Sequence, residues 1–213
     1  LVGILGAFAI VYGALVAMGQ TDFKKLLAYS SVSHMGYVIL GVAVWSGKSD
    51  SQYWSWGMNG AMFQMVAHGV TAAGLFLVVG IAYDRAHHRE INQFGGLMNS
   101  MPLFGGMSAV LFFGSLGLPT LCGFVGEAFV VFGSWKYCPW LGLVAICCTV
   151  LTAGYLLWCW QRVFLGVNAN TSTYADLTMS EALALLPFVV LTIALGLLPA
   201  QLILNWMEPS VSG

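Results

Sequence analysis

Apolar runs of roughly membrane length follow one another along the chain, separated by short polar corners. A helix crossing a hydrocarbon core needs about 20 apolar residues. Residues 1–18 form the first run, interrupted only by Gly3, Gly6 and Gly13. A corner of Gln20, Thr21, Asp22, Lys24 and Lys25 follows, in which Thr21 or Asp22 can cap the next helix through a short side-chain oxygen. The second run covers 26–45 and holds Ser30, Ser31, Ser33 and, well inside, His34. A polar turn at 46–51 carries Lys48 and Asp50. The third span lies within 53–83, opens on Tyr53, Trp54 and Trp56 as an interfacial belt, and contains Gln64 and His68 four residues apart on one helical face. Residues 84–99 are the most polar stretch. A fifth span is expected over 141–165, a polar loop over 166–180, and a last span from Glu181 that includes Pro187 and Pro199 and fades near Trp206 and Glu208.

The stretch 101–135 departs from this pattern. It is apolar enough for a bilayer but too long for one straight span. Its middle holds Gly114, Gly117, Pro119 and Gly123, which favour a bend, and Pro119 also removes a backbone donor. The pattern predicts two half-helices over about 102–135, joined by an unwound turn at membrane depth with Gly117, Pro119 and Gly123 as the hinge. Such a turn is tolerated only where protein or trapped water covers it. Just past the break stands Glu127, the single acid of the segment. A carboxylate among apolar neighbours costs several kcal/mol unless it is paired, hydrated or protonated.

Composition strengthens the membrane reading. Of 213 residues, 59% are hydrophobic and 7% charged, and the mean hydropathy is +0.85. Soluble domains carry about 25% charged residues, so the expected fold is an all-α membrane protein of about six transmembrane helices, residues 1–213 forming a single transmembrane domain. The net charge of −1 says nothing about nucleic acid, but no basic run exists to grip phosphates, so nucleic acid is not an expected partner; lipid is the expected surroundings. Lys24, Lys25, Arg85, Arg89 and Arg162 follow the odd-numbered spans, which assigns that side to the cytoplasm or matrix. The chain begins inside an apolar run without a methionine, and a longer subunit is expected. The five cysteines form no C-x-x-C pair and are expected to be small buried thiols. His87 and His88 point in different directions as helical neighbours and are expected to be a solvated loop.

His34, His68 and Glu127 remain as buried groups able to exchange protons, with the hydroxyls near Ser31 as weaker candidates. Histidine titrates near neutral pH and both donates and accepts. The alternative for each is a helix-packing hydrogen bond. Lys24, at a span's edge, reads on position alone as a topology signal with a snorkelling stem. No G-x-G-x-x-G, P-loop, haem or iron–sulfur ligand pattern is present, so no cofactor, metal or catalytic redox residue is expected in this chain.

Several runs carry a resemblance: Q-T-D-F-K-K-L-L-A-Y-S-S-V-S-H-M-G at 20–36, M-V-A-H-G-V-T-A-A-G-L-F at 65–76, Y-D-R at 83–85, G-G-L at 95–97 and L-G-L-P-T-L-C-G-F-V-G-E at 116–127. With them the chain resembles the chain M (mitochondrial subunit 4) family of proton-translocating NADH:quinone oxidoreductase, respiratory complex I, over about spans nine to fourteen of that larger antiporter-like subunit. The resemblance implies one inverted-repeat half plus a final helix, with Glu127, His68, His34 and Lys24 in proton transfer. It implies sister antiporter-like subunits and a supplier of the missing N-terminal half as partners. NADH, FMN, iron–sulfur clusters and quinone would belong to partner subunits, and the location would be an energy-transducing membrane. A sodium/proton antiporter or membrane-hydrogenase subunit of the same superfamily is one alternative; a non-pumping membrane scaffold is the other.

Overall fold

A computed structural model describes residues 1–45, 53–168 and 170–206. The turn at 46–51 with Lys48 and Asp50, and Glu208, lie outside the described residues. The chain folds into helices α1 (Val2–Met18), α2 (Phe23–Ala43), α3 (Tyr53–Ala86), α4 (Leu97–Ser100), α5 (Pro102–Ser115), α6 (Cys122–Tyr137), α7 (Pro139–Phe164) and α8 (Met179–Leu197). A 3₁₀ turn, Ile91–Gln93, precedes α4, and a π-helical turn, Ala200–Leu204, follows α8. By length and composition α2, α3, α7 and α8 can each cross a membrane. The apolar α1 is shorter, and α5 with α6 makes up the broken span, so six crossings result. Large apolar side chains such as Phe8, Trp140 and Val150 point outward, as they must in lipid.

Local chemistry sets the helix ends. Asp22 Oδ1 accepts the Lys25 N–H at 3.0 Å, so α2 starts three residues before the expected 26 and takes both lysines into its first turn. Pro102 and Pro139 open α5 and α7, where a missing N–H costs nothing. Thr178 and Glu181 form a reciprocal capping box at the start of α8. The expectation that one last helix holds both Pro187 and Pro199 is corrected: α8 stops at Leu197, and Pro199 caps the separate π-helical turn, because its ring cannot continue the preceding turn.

Glycines let the helices meet backbone to backbone. A Cβ on Gly13 would lie 2.5 Å from Ser33 N, and one on Gly36 2.7 Å from Ile10 N, which seats α1 against α2. Gly60 and Gly133 do the same for α3 and α6: a Cβ on either would lie 2.7 Å from a backbone nitrogen, of Val130 or Gly57 respectively. Small residues at such crossings are the usual means of tight packing where no hydrophobic force separates helix from lipid.

Polar contacts bind the loops at one end. Phe23 N–H donates to Arg89 O at 2.8 Å, and Ile91 N–H to Thr21 O at 2.8 Å. Arg85 forks onto Glu181 at 2.9 and 2.8 Å. The Asp176 carboxylate accepts the Leu103 and Phe104 N–H groups at 2.9 and 3.1 Å, which caps the first half of the broken span. Three side chains depart from expectation. Cys147 is exposed and Cys138 partly so, while Cys122, Cys148 and Cys159 are buried; cysteine suits a lipid-facing helix surface as well as a core. The His88 ring packs 4.6 Å from Phe94 with its Nδ1 buried, so it is not a solvated loop residue. Gly60→Ala should destabilise the purified subunit by about 1–3 kcal/mol through overpacking. Gly154→Ala, where a Cβ meets nothing within 4 Å, should be neutral or stabilising; thermal unfolding of both in detergent checks the pair.

Candidate functional site

The broken span builds the site. α5 ends at Ser115 and α6 starts at Cys122. Between them Gly117 and Thr120 have φ of +81° and +83°, the left-handed region that only glycine enters without strain. Pro119 stands inside the break, and Gly123 in the first turn of α6. α8 packs against one side of the irregular backbone, while Leu118, Pro119 and Thr120 are exposed. A Cβ on Gly196 of α8 would run into Thr120 O and Leu121, and one on Gly114 into Thr192.

Glu127 follows on α6 and is 4% exposed. Its Oε1 lies 3.1 Å from Nδ1 of His34, which is 3% exposed. A Cβ on Gly117 would stand 3.1 Å from Glu127 Oε2, so the break itself makes room for the carboxylate. Ser115 Oγ lies 3.3 Å from His34 Nε2. His34 of α2 thus joins the end of one half-helix to the acid on the other. With Glu127 ionised, Nδ1–H donates to it and Nε2 accepts from the serine hydroxyl. The His68 ring lies 5.5 Å from the His34 ring, centroid to centroid. One turn before it, Gln64 is buried against Gly126, and its Oε1 has no hydrogen-bond partner.

The structure therefore gathers Glu127, His34 and His68 and leaves Lys24 apart. Lys24 is exposed at the start of α2, ten residues or about 15 Å along the helix from His34. It lines an open cleft of about 500 Å3 with Tyr83 and Arg89, where Arg89 stacks 5.8 Å over the Tyr83 ring and lies 3.6 Å from Asp22. Ser31 is turned to its own helix, donating to Leu27 O at 3.1 Å. Sequence reasoning missed Ser115 and two tyrosines. Tyr37 O–H donates to Ala145 O at 2.8 Å, and Tyr155 O–H to Ser30 Oγ at 2.8 Å. An aromatic or serine within an apolar helix carries no signal of its own; only the fold brings these near the acid. Among the described residues, no group of three or more His, Cys, Asp or Glu side chains gathers to hold a metal.

An all-α bundle with a span broken beside a paired, buried carboxylate defines the class: a multi-pass membrane protein with a buried ionisable group. The family described as NADH:quinone oxidoreductase/Mrp antiporter, transmembrane, matches residues 1–152, and the chain belongs to it. The NADH-quinone oxidoreductase subunit M of Rhodobacter capsulatus is 42% identical over 98% of this chain and 40% of its own length. A chain of respiratory complex I from Thermus thermophilus with bound NADH superposes with a TM-score of 0.87 at 33% identity, covering 100% of this chain and 44% of that one. A chain of the Mrp complex from Dietzia sp. DQ12-45-1b shares the fold, with a TM-score of 0.86 at 22% identity over 99% of this chain and 46% of its own. The chain thus spans about 40% of the length of the curated relatives it matches.

Removing one member of a buried hydrogen-bonded pair strands the other. His34→Leu or Glu127→Leu alone should each cost about 1–3 kcal/mol in unfolding of the purified subunit. The double variant should cost clearly less than the sum, since no group is then left unpaired.

Proposed function

We propose that the chain is part of a proton-translocating membrane-arm subunit of respiratory complex I, moving protons along a buried axis of Glu127, His34 and His68. The observation that carries this reading is the hydrogen-bonded Glu127–His34 pair at the break, with the His68 ring beside it. The pair holds a proton between a carboxylate and an imidazole that has a second exchangeable nitrogen. Movement of either half-helix at the hinge of Gly117, Pro119 and Gly123 would change the distance across it. Lys24 serves at the membrane edge, where proton meets water. The 42% identity to a subunit M, together with the motif at 116–127, favours complex I over a sodium/proton antiporter complex.

In this reading the chain does no redox chemistry. NADH, FMN, iron–sulfur clusters and quinone belong to partner subunits, among them the sister antiporter-like subunits of the arm. The complex sits in the bacterial plasma membrane or mitochondrial inner membrane, with the Lys24 and Arg89 end on the cytoplasmic or matrix side. Moving one proton against 100 mV costs about 2.3 kcal/mol, which an electrostatic change arriving at Glu127 has to exceed. Glu127→Gln keeps the shape of the side chain and removes its exchangeable proton. In assembled complexes in proteoliposomes, that substitution should abolish this subunit's share of pumping while the yield of intact complex stays unchanged. Full pumping by an intact Glu127→Gln complex would refute the role.

A further inference from the structure

Two spaces lie against α3 and share one lining side chain. The inner one is a chamber of about 10 Å3, bordered on its polar side by Ser30, Ser31, His34, His68 and Ser115. That is room for about one water molecule, with enough polar partners to hold it. The outer one is the open cleft of about 500 Å3 whose polar rim is Lys24, Tyr83 and Arg89. Among the described residues, Phe76 alone lines both.

The helix faces explain the arrangement. His68, Ala72, Phe76, Gly80 and Tyr83 recur at steps of three and four on α3, so they run in one row along it. Lys24, Ser31 and His34 form the facing row on α2. The two rows lead from the histidines to the cleft, and Phe76 stands about 12 Å along the axis from His68. Phe76 is 36% exposed, and beyond it a Cβ on Gly80 would meet nothing within 4 Å. The ring therefore has free space on its cleft side.

We propose that Phe76 is the water-excluding gate of a proton path between the His34–His68 chamber and the Lys24–Arg89 cleft. The proposal rests on the proton-translocation reading above. An apolar ring at a constriction stops conduction by keeping the passage dry. With protonated Glu127 and His34 carrying its proton on Nε2, the Glu127 proton passes to Nδ1 while the Nε2 proton passes to water in the chamber. Glu127 is left as a carboxylate, His34 as the other neutral tautomer, and one proton has entered the chamber. Only O–H and N–H bonds change, and no electrons are transferred. Ser115 Oγ, already at Nε2, accepts a hydrogen bond from it before the transfer and donates one to it afterwards. When the ring swings into the cleft, water connects the two spaces, and the same two transfers run in reverse carry a proton from the Lys24 side, the cytoplasmic or matrix side, through His34 to Glu127.

The test uses the full-length subunit in its assembled complex in proteoliposomes. Passive proton leak under an imposed potassium-diffusion potential, without NADH, is read beside the proton-to-electron ratio during turnover. Phe76→Ala should raise the leak several-fold and lower the ratio, whereas Phe76→Trp should keep both as in the parent. The leak should collapse in Phe76→Ala with Glu127→Gln, because the path ends at the pair. A Phe76→Ala complex as tight and as well coupled as the parent overturns the gate. A double variant that leaks as much as Phe76→Ala overturns the assignment of the path to the pair. Full pumping by Glu127→Gln alone refutes the proton-translocation reading, whatever Phe76 does. Should Phe76→Ala not assemble, alkylation of Ser31→Cys by a water-soluble maleimide applied from the Lys24 side decides. It should be faster with Phe76→Val than with the native ring, and equal rates overturn the proposal.

Discussion

The 3.1 Å contact between Glu127 Oε1 and His34 Nδ1 is the interaction on which the arrangement depends. Without it, a carboxylate would lie in an apolar bundle with no compensation. With it, three elements become one unit, because the same imidazole reaches Ser115 on the other half of the broken span. Much of the surrounding packing supports this contact. The glycines between α3 and α6 bring Glu127 inward, Gly117 clears space for its second oxygen, and Thr192 and Gly196 of α8 pack against one side of the unwound backbone.

How much of this was legible in the sequence follows from where polarity is rare. A lone acid or histidine in an apolar run is conspicuous, so Glu127, His34 and His68 could be marked before any fold was known. The break could be marked too, because Pro119 and the flanking glycines violate helix chemistry. Other features have no such contrast. Ser115 is one serine in an apolar helix, and its partner is 81 positions away. Tyr155 and Ser30 are 125 positions apart. His88 looks solvated because its neighbours in sequence are polar; its packing on Phe94 is decided by the 3₁₀ turn between them. Lys24 stands in a recognisable motif, yet motif membership does not say whether a side chain reaches the buried pair, and here it lines a surface cleft.

The two ends of the bundle use different chemistry. At the Lys24 end the loops are joined through Arg85, Glu181 and Asp176, and the N-terminus of the broken span is capped from a distant loop. In mid-bundle the contacts are backbone against backbone at glycines, with the Glu127–His34 pair set among them. The wet end thus fixes where each helix enters, and the dry middle fixes how closely they approach.

The length of α3 has one more consequence. Its 34 residues make a rod of about 51 Å, well over the roughly 30 Å of hydrocarbon it has to traverse. His68 stands fifteen residues from the start of that rod (68 − 53) and eighteen from its finish (86 − 68), so it lies near the halfway mark. A charge at that depth feels about half of the transmembrane voltage, of order 1.2 kcal/mol per 100 mV. The electrical work of moving such a charge to either face is then nearly equal.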